Sequence, residues 1–107
     1  MNTEQRVVLE GRIDSRTAPA YRDALACAIA EGVGALSVDL ARAEIGDTAG
    51  LGVIIGAYDR ARRHGRVLVV DAMSPRVARI LHVSRLERIL LPRTQSRRQR
   101  TVSAVTA

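Results

Sequence analysis

The 107 residues suffice for one domain with a modest core, and an aromatic content of only 2% within a hydrophobic fraction of 47% requires that core to be built from Val, Leu, Ile and Ala. No stretch approaches the roughly 18 consecutive apolar residues of a membrane span, and Met1 to Gln5 has neither the basic start nor the apolar run of a signal peptide, so a cytoplasmic protein without membrane insertion is expected. The formal net charge of +6 divides into 13 Arg against 11 acidic residues up to Pro92, and Arg93, Arg97, Arg98 and Arg100 beyond it, so the body of the chain is nearly balanced.

Arg6 to Gly11 is a short β-rich run that continues through Ile13 and stops at Asp14, the pattern of a strand entering a loop. Ser15 or Thr17 can cap the next segment, where Ala18, Tyr21, Leu25, Ala28 and Ile29 recur at helical spacing until Gly32 and Gly34 end it. The lone Cys27 cannot form an internal disulfide, and its place in that apolar series predicts a buried core thiol. Ala35 to Leu40 predicts a short buried strand followed by a polar connection, with Asp39 at its end. Ile45-Gly46-Asp47-Thr48-Ala49-Gly50 then leads into a second helix, Leu51 to Arg63, with Leu51, Ile54, Ile55, Tyr58 and Ala61 on one face and a stop near His64-Gly65.

Arg66 to Asp71 predicts a third strand, and Ser74-Pro75 is a helix-start signal with Pro at the first helical position of a helix reaching about His82. Leu86 to Leu91 is a last apolar segment, strand or short helix, and the Arg/Ser/Thr/Gln-rich tail from Arg93 is expected to be disordered. Strands alternating with helices imply an α/β fold with a mostly parallel sheet and right-handed crossovers.

Four segments taken together, Gly11-Arg-Ile-Asp14, Val38-Asp39-Leu40, Asp47-Thr-Ala-Gly-Leu-Gly-Val53 and Ser74-Pro75-Arg76-Val77, resemble the STAS family in order and spacing, most closely its bacterial anti-sigma factor antagonists. The resemblance runs from about Val7 to Leu91 and implies the STAS (SpoIIAA-like) fold, a small mixed, mostly parallel sheet with helices mainly on one face. It implies a STAS domain over residues 1–92, with 93–107 as a basic tail. The function it implies is partner switching: a non-enzymatic protein, needing no cofactor, that binds an anti-sigma factor of the serine/threonine kinase type and releases a sigma factor. Partner binding would then fall to Asp14, Asp47, Thr48, Ala49, Gly50, Leu51, Ser74 and Pro75. In the resembling proteins the kinase phosphorylates the Ser or Thr before the glycine of the turn; here that position is Ala49, which has no hydroxyl. Thr48, one residue earlier, is the candidate phosphoacceptor, an arrangement similar to stressosome-type STAS proteins, and Asp-Thr-Ala-Gly-Leu also resembles the STAS subunit of Mla-type lipid transporters. A scaffold role in a stressosome-like or Mla-type complex is therefore the alternative.

Other chemistries find little support. His64 and His82 are 18 positions apart with no companion Cys or paired carboxylate at ligand spacing, so no metal site is expected. No nucleophile sits beside a base, so no catalytic residue is assigned, and a phosphate-binding P-loop needs a lysine that the chain lacks. With neither a stacking platform nor a DNA-reading motif, specific nucleic-acid binding is not expected. Only five or six residues precede the first strand, which leaves an edge that a second copy could cover as a homodimer.

Overall fold

A computed structural model describes residues 5–91 of the chain. The elements follow in the order β1 (Gln5–Ile13), α1 (Ala18–Glu31), β2 (Leu36–Ile45), α2 (Thr48–Arg63), β3 (Leu68–Met73), α3 (Pro75–Val83) and α4 (Glu87–Leu90). The three strands form one sheet in the order β1-β2-β3, all parallel. Because neighbours in sequence are neighbours in the sheet, both crossovers carry the chain the same way, and right-handed crossovers then set α1 and α2 on the same face. Burial agrees with this: Leu9, Ile13, Leu36, Val38, Leu40, Leu68 and Val70 are buried, while Arg6, Val8, Glu10 and Arg12 alternate with them as exposed residues. The Leu86–Leu91 segment resolves as the short helix α4, whose Leu90 joins the same core. The segment before Gln5 and the expected disordered tail from Arg93 lie outside the described residues.

The open face of the sheet is held by paired charges. Arg6 reaches across three strands to bond both Asp39, at 2.8 Å, and Asp71; Arg42 pairs with Glu10 at 3.5 Å and Arg12 with Glu44 at 3.7 Å. Asp39 is not at a strand end, as the sequence suggested, because β2 runs five residues past Leu40. The register with β1 passes from Val8↔Asp39 to Glu10↔Arg42, so β2 carries a bulge between them. The Asp39 carboxylate accepts the Ala41 N–H at 2.8 Å, serving an amide at that irregularity.

Two expectations about the helices need correction. Cys27 is exposed: the buried stripe of α1 is Ala18, Leu25, Ala28 and Ile29, and at 100° per residue position 27 projects opposite Leu25 and Ile29 rather than among them. In α2 the buried set is Gly50, Val53, Ile54, Ala57 and Ala61. The core-facing direction is thus rotated from the predicted one, and Leu51, Ile55 and Tyr58 are left half-buried along one flank.

The end of α2 explains a residue whose role the sequence did not reveal. Gly65, with φ at +72°, takes the left-handed position after the helix, and the Gly65 and Arg66 N–H groups return to Arg62 O and Ala61 O at 3.0 and 2.8 Å. The chain then turns so that Arg66, only 4% exposed, points at the end of α1. Its guanidinium donates to the carbonyls of Ala28 and Ile29, each at 3.0 Å, and of Gly34 at 2.9 Å. These include carbonyls that a helix terminus leaves without intrahelical donors.

Candidate functional site

The Asp47 turn is built where β2 hands over to α2. Gly46 donates its N–H to Ile13 O at 2.8 Å, tying the ends of β1 and β2 together. Asp47 adopts extended backbone and caps α2: Oδ1 accepts the Gly50 N–H at 3.0 Å, and Oδ2 accepts the Ser15 N–H at 3.1 Å. One carboxylate therefore locks the start of α2 to the β1–α1 loop. Bonds from the Ser15 and Gly50 amides hold its pKa below the usual aspartate range, against opposition from burial and the nearby Asp14 charge.

Gly50 completes the joint. It is buried, and a Cβ at this position would stand 2.0 Å from Ile13 O and 2.8 Å from Ile13 C, so only glycine lets α2 approach the end of β1 this closely. Of the residues the sequence assigned to docking, Gly50 thus shapes the site from beneath.

Asp14 organises the other loop of the site. Its Oδ1 accepts the Arg16 and Thr17 N–H groups at 2.9 and 3.2 Å, and Arg12 Nε approaches Oδ2 at 3.1 Å. Burial pushes this carboxyl upward, but the Thr17 and Arg16 amides and the Arg12 guanidinium outweigh it, leaving the pKa lowered. Thr17, expected as a capping residue, makes no side-chain cap to α1. Its hydroxyl instead donates to Arg12 O at 2.7 Å and accepts the Asp14 N–H at 3.0 Å. Asp14 and Asp47 are accordingly joined through one hydrogen-bonded loop, the Ser15 amide being the link.

Above this base stand the accessible residues. Thr48 is exposed at the first position of α2, and since Asp47 supplies the cap, the threonine hydroxyl is not used for it. Ala49 is half-buried beside it. Leu51 follows one turn on, continuing into Ile55 and Tyr58, all half-buried, and Arg62 lies over the Tyr58 ring at 5.9 Å from its centroid. This strip shares the flank of α2 that the Asp47 turn opens. In the sequence Ile55 and Tyr58 appear only as members of one apolar face of the helix; an apolar arc too wide for one buried stripe is the signal that part of it stays at the surface.

Ser74 and Pro75 are not brought to the turn. Ser74 caps α3, its Oγ accepting the Val77 N–H at 3.3 Å, with Pro75 exposed at the first helical position. Met73 is level with Leu40, whereas Ile13 is level with Ile45. Ser74 therefore lies about 15 Å short of the turn along the strand direction, at roughly 3.3 Å per residue. The body of α3 comes closer: Arg76, Arg79 and Ile80 line a depression together with Arg12, Glu44, Ile45 and Gly46. Arg76, part of the Ser74-Pro75-Arg76-Val77 segment, and Arg79 carried no expected docking role.

The arrangement is suited to presenting a surface. Both carboxylates at the turn already accept backbone amides, and among the described residues no three His, Cys, Asp or Glu side chains cluster as metal ligands would. His82 Nδ1 lies 2.9 Å from Glu87 Oε1, linking α3 to α4 away from the turn. No helix among the described residues is long and apolar enough to cross a membrane.

Comparison with known proteins agrees with this architecture. The family model described as "Mlab, STAS domain" matches residues 2–92. Anti-sigma-B factor antagonists of Listeria monocytogenes and Listeria innocua are each 33% identical over 85 residues, an alignment covering 78% of this chain and 74% of theirs. Among solved structures, an anti-sigma factor antagonist from Mycobacterium paratuberculosis superposes with a TM-score of 0.68 at 28% identity, covering 89% of this chain and 81% of that one. Unphosphorylated SpoIIAA superposes with a TM-score of 0.64 at 24% identity, covering 89% and 85%. A sulfate transporter family protein from Wolinella succinogenes shares the fold with a TM-score of 0.69 at 16% identity, covering 84% and 73%. The parallel βα layout, the locked Asp47 turn and the match across residues 2–92 converge on one assignment: the chain belongs to the STAS domain family.

Proposed function

We propose that this protein is an anti-sigma factor antagonist that acts by partner switching, docking a serine/threonine-kinase-type anti-sigma factor on the Asp47 turn and the α2 flank beyond it. The observation that carries this reading is the part-buried apolar strip of Leu51, Ile55 and Tyr58 continuing from Thr48 along α2. Leu51 and Tyr58 pack against the core yet keep part of their surface in solvent, beside a turn that Asp47 ties to both α2 and the β1–α1 loop. Complementary contact with such a strip is the usual basis of a protein interface, with aromatic and large apolar side chains as its anchors. The relationship to the Listeria and Mycobacterium antagonists supports an anti-sigma factor as the partner. No bond making or breaking is assigned to the chain, so the reading is non-enzymatic.

Regulation departs from the family habit, because Ala49 stands before Gly50 and cannot accept a phosphoryl group. The exposed Thr48 hydroxyl, not used as the helix cap, is the remaining acceptor at the turn. A phosphate there would add about −1.5 to −2 charges at the start of the docking strip and beside Asp47, disfavouring a partner by repulsion and desolvation.

Incubation with the cognate anti-sigma kinase and ATP, followed by intact mass and size-exclusion chromatography, tests both parts. Complex formation supports the docking reading, and one added phosphoryl lost in Thr48→Ala supports regulation at Thr48; an unchanged mass makes the protein a constitutive binder. The family description Mlab favours one second reading, a scaffold in an Mla-type lipid-transport complex, with a stressosome-like assembly as its relative. Failure to bind anti-sigma kinases together with binding to a transport ATPase would replace the first reading by the second.

A further inference from the structure

The opposite flank of α2 carries a feature that the docking strip does not use. Between α1 and α2 runs a cleft of about 210 Å³. Its floor is the apolar set Leu25, Ile29, Val53 and Ala57, and its rim is Arg22, Arg60 and Arg63. At 100° per residue, Gly52, Gly56, Arg60 and Arg63 lie on the side of α2 away from Leu51, Ile55 and Tyr58, so the two surfaces are separate.

The rim is charged and unneutralised. Arg6, Arg12 and Arg42, on the open face of the sheet, all have carboxylate partners. Among the described residues, Arg22, Arg60 and Arg63 make no such pair. Asp59 adjoins Arg62 and Arg63 in a neighbouring depression but does not line the cleft. Arg60 and Arg63 sit in the last turn of α2, where a cation complements the helix dipole. That explanation fails for Arg22, which lies in the N-terminal half of α1, where the dipole gives a cation no such advantage.

Two exposed glycines form part of the same wall. A Cβ at Gly52 or Gly56 would meet nothing within 4 Å, so neither is required by packing inside the chain, although each weakens the helix relative to Ala. They leave the α2 backbone bare beside the cleft. An occupant could therefore come close to the helix at Gly52 and Gly56, over a floor whose Leu25 and Val53 are already buried, and meet three guanidinium groups at the rim.

We propose that the α1/α2 cleft is a second docking site, which takes the edge of an acidic amphipathic helix from a protein partner, its carboxylates paired with Arg22, Arg60 and Arg63. Charge complementarity selects this occupant. A second copy of the chain would bring the same unpaired arginines to the interface, and a purely apolar segment would leave them unmatched. Carboxylates meet guanidinium groups with bidentate geometry, which fixes the register of the incoming helix.

The test uses the full-length chain labelled with ¹⁵N and a synthetic helical peptide of Leu and Glu, with Leu on one face, beside a counterpart in which Lys replaces Glu. The Glu peptide is expected to shift the amides of Gly52, Gly56, Arg60 and Arg63 saturably, and to lose at least tenfold in affinity against the double variant Arg60→Glu, Arg63→Glu. Gly56→Leu, which fills the cleft mouth without altering charge, should weaken binding by a similar factor, with an unchanged far-UV circular dichroism spectrum confirming its fold. Absence of saturable shifts, equal affinity for the Lys peptide, or shifts confined to Leu51, Ile55 and α3 would overturn the proposal. Leu51→Glu should leave peptide binding unchanged, so this result is independent of the anti-sigma docking reading.

Discussion

The same substitution at three positions of α2 should have opposite effects, because the structure gives each glycine a different neighbourhood. At Gly50, Ala would place a Cβ 2.0 Å from Ile13 O, and the obstructing atom is backbone that cannot swing aside. Helix propensity favours the change by at most about 1 kcal/mol, whereas overpacking a close joint costs about 1–3 kcal/mol. Forcing α2 away from β1 would also loosen the Gly46-to-Ile13 and Asp47-to-Gly50 hydrogen bonds. A net loss of about 2 kcal/mol is expected for Gly50→Ala, equivalent to a fall in melting temperature of about 10 °C for a domain of this size. At Gly52 and Gly56 the added methyl meets open space, so the propensity term stands alone. Each Ala there should stabilise by up to about 1 kcal/mol. Urea denaturation followed by circular dichroism, with unchanged slopes, measures all three. If Gly50→Ala proved as stable as Gly52→Ala, the close approach of α2 to Ile13 would be wrong.

Arg66→Met removes the buried donor from Ala28, Ile29 and Gly34, and should cost about 3 kcal/mol through carbonyls left unsatisfied; a urea midpoint within error of wild type would deny the capping role. Arg85 holds φ at +59° in the left-handed position after α3, with the Leu86 N–H returning to Leu81 O at 2.9 Å, so Arg85→Gly should raise stability by about 0.5–1 kcal/mol in the same assay. The carboxyls of Asp14, Asp39 and Asp47 are all held below their ordinary pKa in the folded chain, which therefore binds fewer protons than the unfolded chain near pH 4. Stability from these groups is complete above the unfolded value of about 3.9 and is lost as pH falls through the lower folded values. Asp47→Asn should flatten the acid limb of a plot of urea midpoint against pH, and an unchanged limb would contradict the assigned bonds.

How far the sequence revealed this molecule depends on which interactions are local. Caps and stops were legible because their chemistry lies within a few residues: Ser74-Pro75 opens α3, and Gly65 closes α2. The Asp47 turn was legible by the order of its residues, though the depth of Gly50 beneath Ile13 required the fold. Ala41 to Ile45 looked like a polar connection because Arg42 and Glu44 alternate with Ala43 and Ile45 after a bulge; the strand keeps pairing with β1 once β3 has ended. That extension separates Ser74 from the turn, which no count along the chain could show. Arg66 was read simply as the start of a strand. Its bonds go to residues 28, 29 and 34, more than thirty positions away, and nothing in its own neighbourhood announces them. The phase of α2 was misjudged because its apolar arc extends past the stripe that the core buries, so the local pattern is wider than the packed face.

In the proposed partner switch, the flank beginning at Thr48 and Leu51 displaces a sigma factor from its anti-sigma partner. The most direct measurement adds this protein to a preformed complex of the cognate sigma and anti-sigma factors and follows the free sigma factor by native mass spectrometry. Wild-type protein should release sigma with saturation near one equivalent, and Leu51→Glu, folded by circular dichroism, should release little. No release by the wild type, or equal release by Leu51→Glu, would rule out displacement through this flank.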